Sequence, residues 1–174
     1  MRRVAITGIG AISALGGNAG EFWCALEQGR SGIAPLETVD RAKLRFQNGA
    51  EVRGYNPCDY FEDKRADFMD RFAQFGLIAA REAIRDSGIE WDDAGRESAA
   101  IITGSCVGGQ CTQDVGFVDL YIDDRNRVHP LTIARTMANA AASHISMEFG
   151  ITGPAYTIST ACSSSSHAIG QAFW

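Results

Sequence analysis

An α/β layered fold is predicted by three short apolar runs with helical patterns between them. The runs are Val4 to Thr7, Ala99 to Thr103 and Ala155 to Ser159, each read as a buried strand. Length and composition agree: 174 residues, 45% of them hydrophobic, allow one ordinary globular domain with a real core.

Taken in order, the first helix starts after Asn18 as cap and ends at Gly29, with Phe22, Leu26 and Trp23 turned inward. Gly8-Ile9-Gly10 before it, with Ser13, looks like part of a dinucleotide fingerprint. It lacks the third glycine and the strand-ending acidic residue, so a tight turn is the reading. Between Ser31 and Glu62 the signals are weak and indicate loops with one short hairpin. The clearest helix runs from about Arg65 to Ser87 and stops at Gly88. Phe68, Phe72, Phe75, Ala79, Ala83 and Ile84 form its apolar stripe.

The glycine-rich stretch Gly104 to Gly109 has no following lysine and cannot be a P-loop. Asp119 to His129 is polar and charged, an exposed excursion. A further helix spans about Ile133 to Phe149 and is stopped by Gly150. Its alanine-rich middle, Ala138 to Ala142, suits close packing against another backbone. No repeat, linker or low-complexity tract interrupts the pattern.

Charge and cysteine content narrow the function. A net charge of −5 argues against a general nucleic-acid binder. No stretch is long and apolar enough to span a bilayer, and the apolar run behind Met1-Arg2-Arg3 breaks at Thr7-Gly8, too early for a secretory signal. Five cysteines without paired spacing fit reduced thiols in a cytoplasmic protein, and no metal site is indicated.

Chemistry concentrates at Thr157-Ile158-Ser159-Thr160-Ala161-Cys162-Ser163-Ser164-Ser165-Ser166-His167. A β-prone run after the turn Gly150 to Pro154 delivers Cys162 to the first turn of a small-residue helix. Helix N-termini carry unpaired N–H groups and the positive end of a dipole. Both favour a thiolate, the nucleophilic form, and the same N–H groups can cradle an oxyanion. Cys162 is thus a candidate acyl-accepting nucleophile; spacing alone would equally allow a small buried hydrophobe. The serines form no Gly-x-Ser-x-Gly elbow, which disfavours a serine hydrolase. His167 lies five residues after Cys162, neither an i+3 nor an i+4 neighbour, and His129, His144 and His167 are all read as structural.

Thr160-Ala161-Cys162-Ser163-Ser164-Ser165 followed by His167-Ala168-Ile169-Gly170 resembles the active-site segment of elongating β-ketoacyl-acyl carrier protein synthases. Other segments resemble that family in order: Val4 to Gly10, Phe22 to Leu26, Gly29 to Ile33, Met69 to Phe72, Ala79 to Ala83, Gly104 to Gly109 and Met137 to Ser143. The resemblance implies a thiolase-like layered αβαβα fold built from two similar halves. Residues 1–174 would be the N-terminal portion of a ketosynthase domain, cut inside the helix that follows Cys162 and unstable without its complement. The family's two catalytic histidines, its active-site lysine and the phenylalanine that completes the oxyanion hole would lie beyond Trp174.

The same resemblance implies decarboxylative condensation in fatty acid biosynthesis, with Cys162 as nucleophile and acyl carrier protein as partner. It implies a homodimer and no metal or redox cofactor. Val107 matches a position lining the acyl pocket and Ala138 one contributed across the dimer interface. Lys64, Arg65 and Arg127 match candidate contacts to the acidic carrier protein, although Asp67 and Phe68 depart from the basic residues of many bacterial relatives. Polyketide ketosynthases share the catalytic motif. A thiolase fits less well, because its cysteine lies earlier in a different motif. A non-catalytic fragment or partner subunit is the remaining alternative; chain-length-factor subunits usually carry glutamine where this chain has Cys162.

Overall fold

Two strands at the centre of the larger compact unit position the segment that carries Cys162. In the computed structural model, which describes residues 3–62 and 64–174, the chain divides into two units. One is built chiefly from Pro57–Leu77 and Glu90–Trp174, the other from Ala5–Asn56 and Ile78–Ile89.

In the larger unit β3 (Ile101–Gly104) pairs in parallel with β4 (Ala155–Ile158), Ile101 opposite Ala155 and Gly104 opposite Ile158. A parallel pair needs a long crossover. Here it consists of α4 (Gln110–Tyr121), α5 (Thr132–Thr136) and α6 (Ala140–Phe149). The chain leaves β4 into α7 (Ser164–Phe173). Before β3 lie two 3₁₀ turns, Pro57–Asp59 and Arg65–Phe68, the first part of α2 (Arg71–Ser87) and the short α3 (Asp93–Ser98). The α/β expectation and two of the three predicted strands are thus observed.

The smaller unit holds α1 (Ala19–Glu27), the end of α2, and the two-residue antiparallel pair β1 (Ala34–Pro35) with β2 (Asn48–Gly49), which is the expected hairpin. Asn18 caps α1, its side chain accepting from Glu21 N–H at 2.9 Å. Glu82 of α2 accepts from Ala19 N–H at 2.9 Å and Ala11 N–H at 2.8 Å, and Asp86 from Ile9 N–H at 2.9 Å.

Five expectations need correction. The run Val4 to Thr7 is not a strand, and Ile6 is 83% exposed. A strand needs a paired edge, whereas the N–H groups that follow, at Ile9 and Ala11, are taken by carboxylates on α2. Gly8 and Gly10 do not form a tight turn: a Cβ on either would lie 2.0 or 1.9 Å from the carbonyl oxygens of Ala83 and Ala79. They let the segment lie directly on the helix backbone. On α1 only Ala25 is buried; Trp23 and Leu26 are exposed.

The α2 face also differs. Ala73, Gln74, Leu77 and Ile78 are buried, while Phe72, Phe75 and Ala79 are half-buried and Phe68 is exposed. Small Ala73 and Gly76 allow close approach on that side; a Cβ on Gly76 would sit 3.2 Å from the Ala141 methyl of α6. Finally, the helix expected over 133–149 is broken. Met137 is extended, with φ −60° and ψ 133°. The Thr136 carbonyl accepts instead from Gly109 N–H at 3.2 Å, and the Ala138 carbonyl from the Thr157 hydroxyl at 3.3 Å. Partners distant in sequence thus hold the interruption open. The alanines of α6, Ala140 to Ala142, are buried as expected.

Candidate functional site around Cys162

Cys162 stands between β4 and α7 with its residue surface exposed. It lies one position before the N-cap, Ser163, rather than inside the first helical turn as expected. The difference arises because the chain turns sharply first: Ala161 has φ +51°, in the left-handed region that costs a residue with a Cβ about 1–2 kcal/mol. Ser163 N–H and Ser164 N–H then bond back to the carbonyls of Thr160 and Ala161 at 3.2 and 3.1 Å. This is a strand–elbow–helix connection with a thiol at its tip.

Side chains brace the elbow. Ser163 Oγ lies 2.7 Å from the Thr160 carbonyl oxygen and 3.1 Å from Thr160 Oγ1, and His167 Nδ1 lies 3.2 Å from the same hydroxyl. The serine-rich segment thus braces the elbow, as its poor helix propensity and small size imply. His167 is exposed and engaged with Thr160. His144 is half-buried on α6. Burial pushes its imidazole below the ordinary value, a hydrogen bond to the Phe68 backbone opposes that, and Arg65 adds to the depression. His129 Nδ1 accepts from Leu131 N–H at 3.2 Å.

The glycine-rich loop 105–109 is tied to the same region. Ser159 Oγ donates to the Cys106 carbonyl at 3.1 Å. A Cβ on Gly108 would lie 1.7 Å from the Thr136 oxygen and 3.0 Å from the Ala138 nitrogen. The Thr157 hydroxyl reaches the Ala138 carbonyl and lies 2.6 Å from Thr103 Oγ1. The Val107 loop, the Ala138 turn and the strand leading to Cys162 are therefore joined by short polar contacts. Val107 is 44% exposed and Ala138 half-buried.

The three basic residues lie elsewhere. Lys64 and Arg65 are exposed around the 3₁₀ turn, where Arg65 pairs with Glu148. Arg127 lines an open concavity with Asp119, Asp124 and Arg125. Arg125 in turn pairs with Asp119 at 3.0 Å and Asp123 at 3.6 Å.

Sequence reasoning missed three parts of the elbow: Ala161, Ser164 and Gly104. A Cβ on Gly104 would lie 2.4 Å from the Ser164 oxygen. The signal was the pairing of a glycine closing one strand with a run of small residues opening the helix after the next.

Fold and site together define an α/β protein that presents a single thiol at a strand-to-helix elbow. The model of the β-ketoacyl synthase N-terminal domain matches residues 1–174, and the chain belongs to that family. It is 33% identical over 171 residues to 3-oxoacyl-acyl-carrier-protein synthase 2 of Coxiella burnetii (strain RSA 493 / Nine Mile phase I), covering 98% of this chain and 41% of that protein.

Among solved structures, a β-ketoacyl synthase from Burkholderia phymatum STM815 superposes with a TM-score of 0.79 at 25% identity, over 99% of this chain and 43% of that one. The ishigamide ketosynthase/chain length factor gives 0.78 at 28% identity, over 92% and 40%. The expected fold class is thus that of solved ketosynthases. The chain spans about two fifths of the length of the curated relatives it matches. Among the described residues no helix is long and apolar enough to cross a membrane.

Proposed function

We propose that this chain provides the nucleophile-bearing part of a β-ketoacyl-acyl carrier protein synthase of fatty acid elongation. The observation that carries the reading is the exposed thiol of Cys162 on the elbow between β4 and α7. The name shared by several relatives, 3-oxoacyl-acyl-carrier-protein synthase 2, supports the substrate class.

The sulfur of Cys162 attacks the thioester carbonyl of acyl carrier protein. A new carbon–sulfur bond forms, the carrier's thiol leaves, and the Cys162 proton ends on it. Malonyl-carrier protein then loses carbon dioxide, and its carbanion equivalent attacks the Cys162 thioester. The product is a β-ketoacyl carrier two carbons longer, and Cys162 leaves as a thiolate that takes a proton from water. Covalent catalysis divides the transfer into two easier steps. Ser163 and Ser164 N–H groups are already bonded to Thr160 and Ala161, and the reading gives the N–H of Cys162 itself half of the oxyanion hole.

Val107 and Ala138 border the acyl chain in this reading, which their connection to the strand before Cys162 supports. Lys64, Arg65 and Arg127 meet the carrier. Apolar side chains exposed on α7, Ile169 and Phe173, are consistent with a homodimer, and five cysteines without paired spacing fit a reducing cytoplasm. A polyketide-type ketosynthase is the second reading, favoured by the likeness to the ishigamide ketosynthase/chain length factor.

The test is product formation by the intact protein from acyl- and malonyl-loaded carrier protein. A β-ketoacyl product two carbons longer, absent in Cys162→Ala, is expected. Release of carbon dioxide with no condensation product in the parent protein would count against the reading.

A further inference from the structure

The elbow before Cys162 is held by a residue to which the chemistry above assigns no role. Ser164, the first residue of α7, is 3% exposed. Its Oγ accepts from Thr160 N–H at 2.9 Å and donates to the Ala161 carbonyl at 2.6 Å. One hydroxyl thus grips the chain on both sides of the Ala161 α-carbon. That residue is one of two non-glycine residues with positive φ among those described, the other being Asp124. Aspartate can bond locally with its own side chain in that region, whereas alanine cannot, so the restraint on Ala161 comes from outside it. Ser164 has no room to retreat, since Gly104 lies against its carbonyl.

We propose that Ser164 is a positioning residue for Cys162: its buried hydroxyl keeps Ala161 in the left-handed conformation that turns the next residue out of the elbow. This rests on the reading of Cys162 as acyl acceptor. The step it serves is transfer of an acyl group to Cys162 sulfur, with the donor thiol leaving and carrying away the cysteine proton. Without the hydroxyl, Ala161 relaxes toward negative φ and Cys162 spends less time aimed at a donor.

The test compares the parent protein, Ser164→Ala and the double variant Ser164→Ala/Ala161→Gly, all in the intact chain. The readout is the rate at which Cys162 takes up a hexanoyl group from hexanoyl-N-acetylcysteamine, located by peptide mass spectrometry. Ser164→Ala is expected to slow acylation about tenfold, the scale of one strained backbone residue. The double variant is expected to regain most of that rate, because glycine occupies positive φ without a Cβ penalty. A packing defect alone would behave oppositely, since a further glycine loosens the chain.

Parent-like acylation by Ser164→Ala overturns the proposal, and so does a double variant as slow as the single one. If Ser164→Ala does not fold, the double variant is compared with the parent: near-parent acylation supports the proposal, and acylation slowed about tenfold or more overturns it. A parent protein that never acylates Cys162 sinks the nucleophile assignment and this role with it.

Discussion

The carboxylate of Asp70 accepts both the backbone N–H and the hydroxyl of Thr112, at 2.7 and 2.6 Å. Asp70 is 2% exposed and precedes α2, where its other oxygen also receives Phe72 N–H at 3.3 Å. It therefore caps its own helix and the first turn of α4, whose N-cap, Gly109, has no side chain to do so. Replacing it leaves buried donors without an acceptor. Asp70→Ala should lower the stability of the intact protein by about 2–4 kcal/mol, read from urea unfolding. A loss below about 0.5 kcal/mol would mean that water replaces the carboxylate at little cost.

Gly104 ends β3 where α7 begins, with no space for a Cβ beside the Ser164 backbone. Gly104→Ala must push strand and helix apart, at a cost of about 1–3 kcal/mol. It should also slow acylation of Cys162 more than it changes alkylation of the exposed Cys58. Equal effects on both thiols would mean that the elbow does not depend on this contact.

His144 gives a pH dependence with a definite sign. Its folded-state pKa lies below 6.5, chiefly through burial. As pH falls below that value the unfolded imidazole takes up a proton more readily than the folded one. The parent protein therefore loses stability toward acid through this group, and well above 6.5 the group contributes no slope. Arg65 is the charged neighbour that reinforces the effect. Urea midpoints between pH 7.5 and 5.5 should fall more steeply for the parent than for His144→Asn. Parallel curves would remove His144 from the account.

The proposed carrier contacts can be tested by charge reversal. Arg65 shares its charge with Glu148, whereas Lys64 is exposed. Lys64→Glu should raise KM for carrier-bound substrate roughly threefold, as an exposed contact does, and leave small thioester donors unaffected. Arg65→Glu would instead disturb the turn against α6 and lower stability as well. An unchanged KM in Lys64→Glu would move the docking site elsewhere.

Local signals carried much of the fold. The apolar runs at β3 and β4, the Asn18 cap, the stop at Gly150 and the buried alanines of α6 are all stated by short stretches of chain. What escaped was set by distant partners. Nothing near Met137 announces a break, because the carbonyls that hold it open bond to Gly109 and Thr157. Gly8 and Gly10 looked like a turn because their neighbour is the backbone of α2, far along the chain. At the candidate site, the sequence motif marks Cys162 but not the left-handed conformation of Ala161. Alanine has no preference for that conformation, and Ser164 imposes it from the next turn.

The central claim is that Cys162 accepts an acyl group, and intact mass of the purified protein before and after an acyl-thioester donor tests it most directly. The account predicts a gain of one acyl group that Cys162→Ala abolishes while the other four cysteines remain unmodified. A mass that never shifts, or a shift that survives Cys162→Ala, would contradict it.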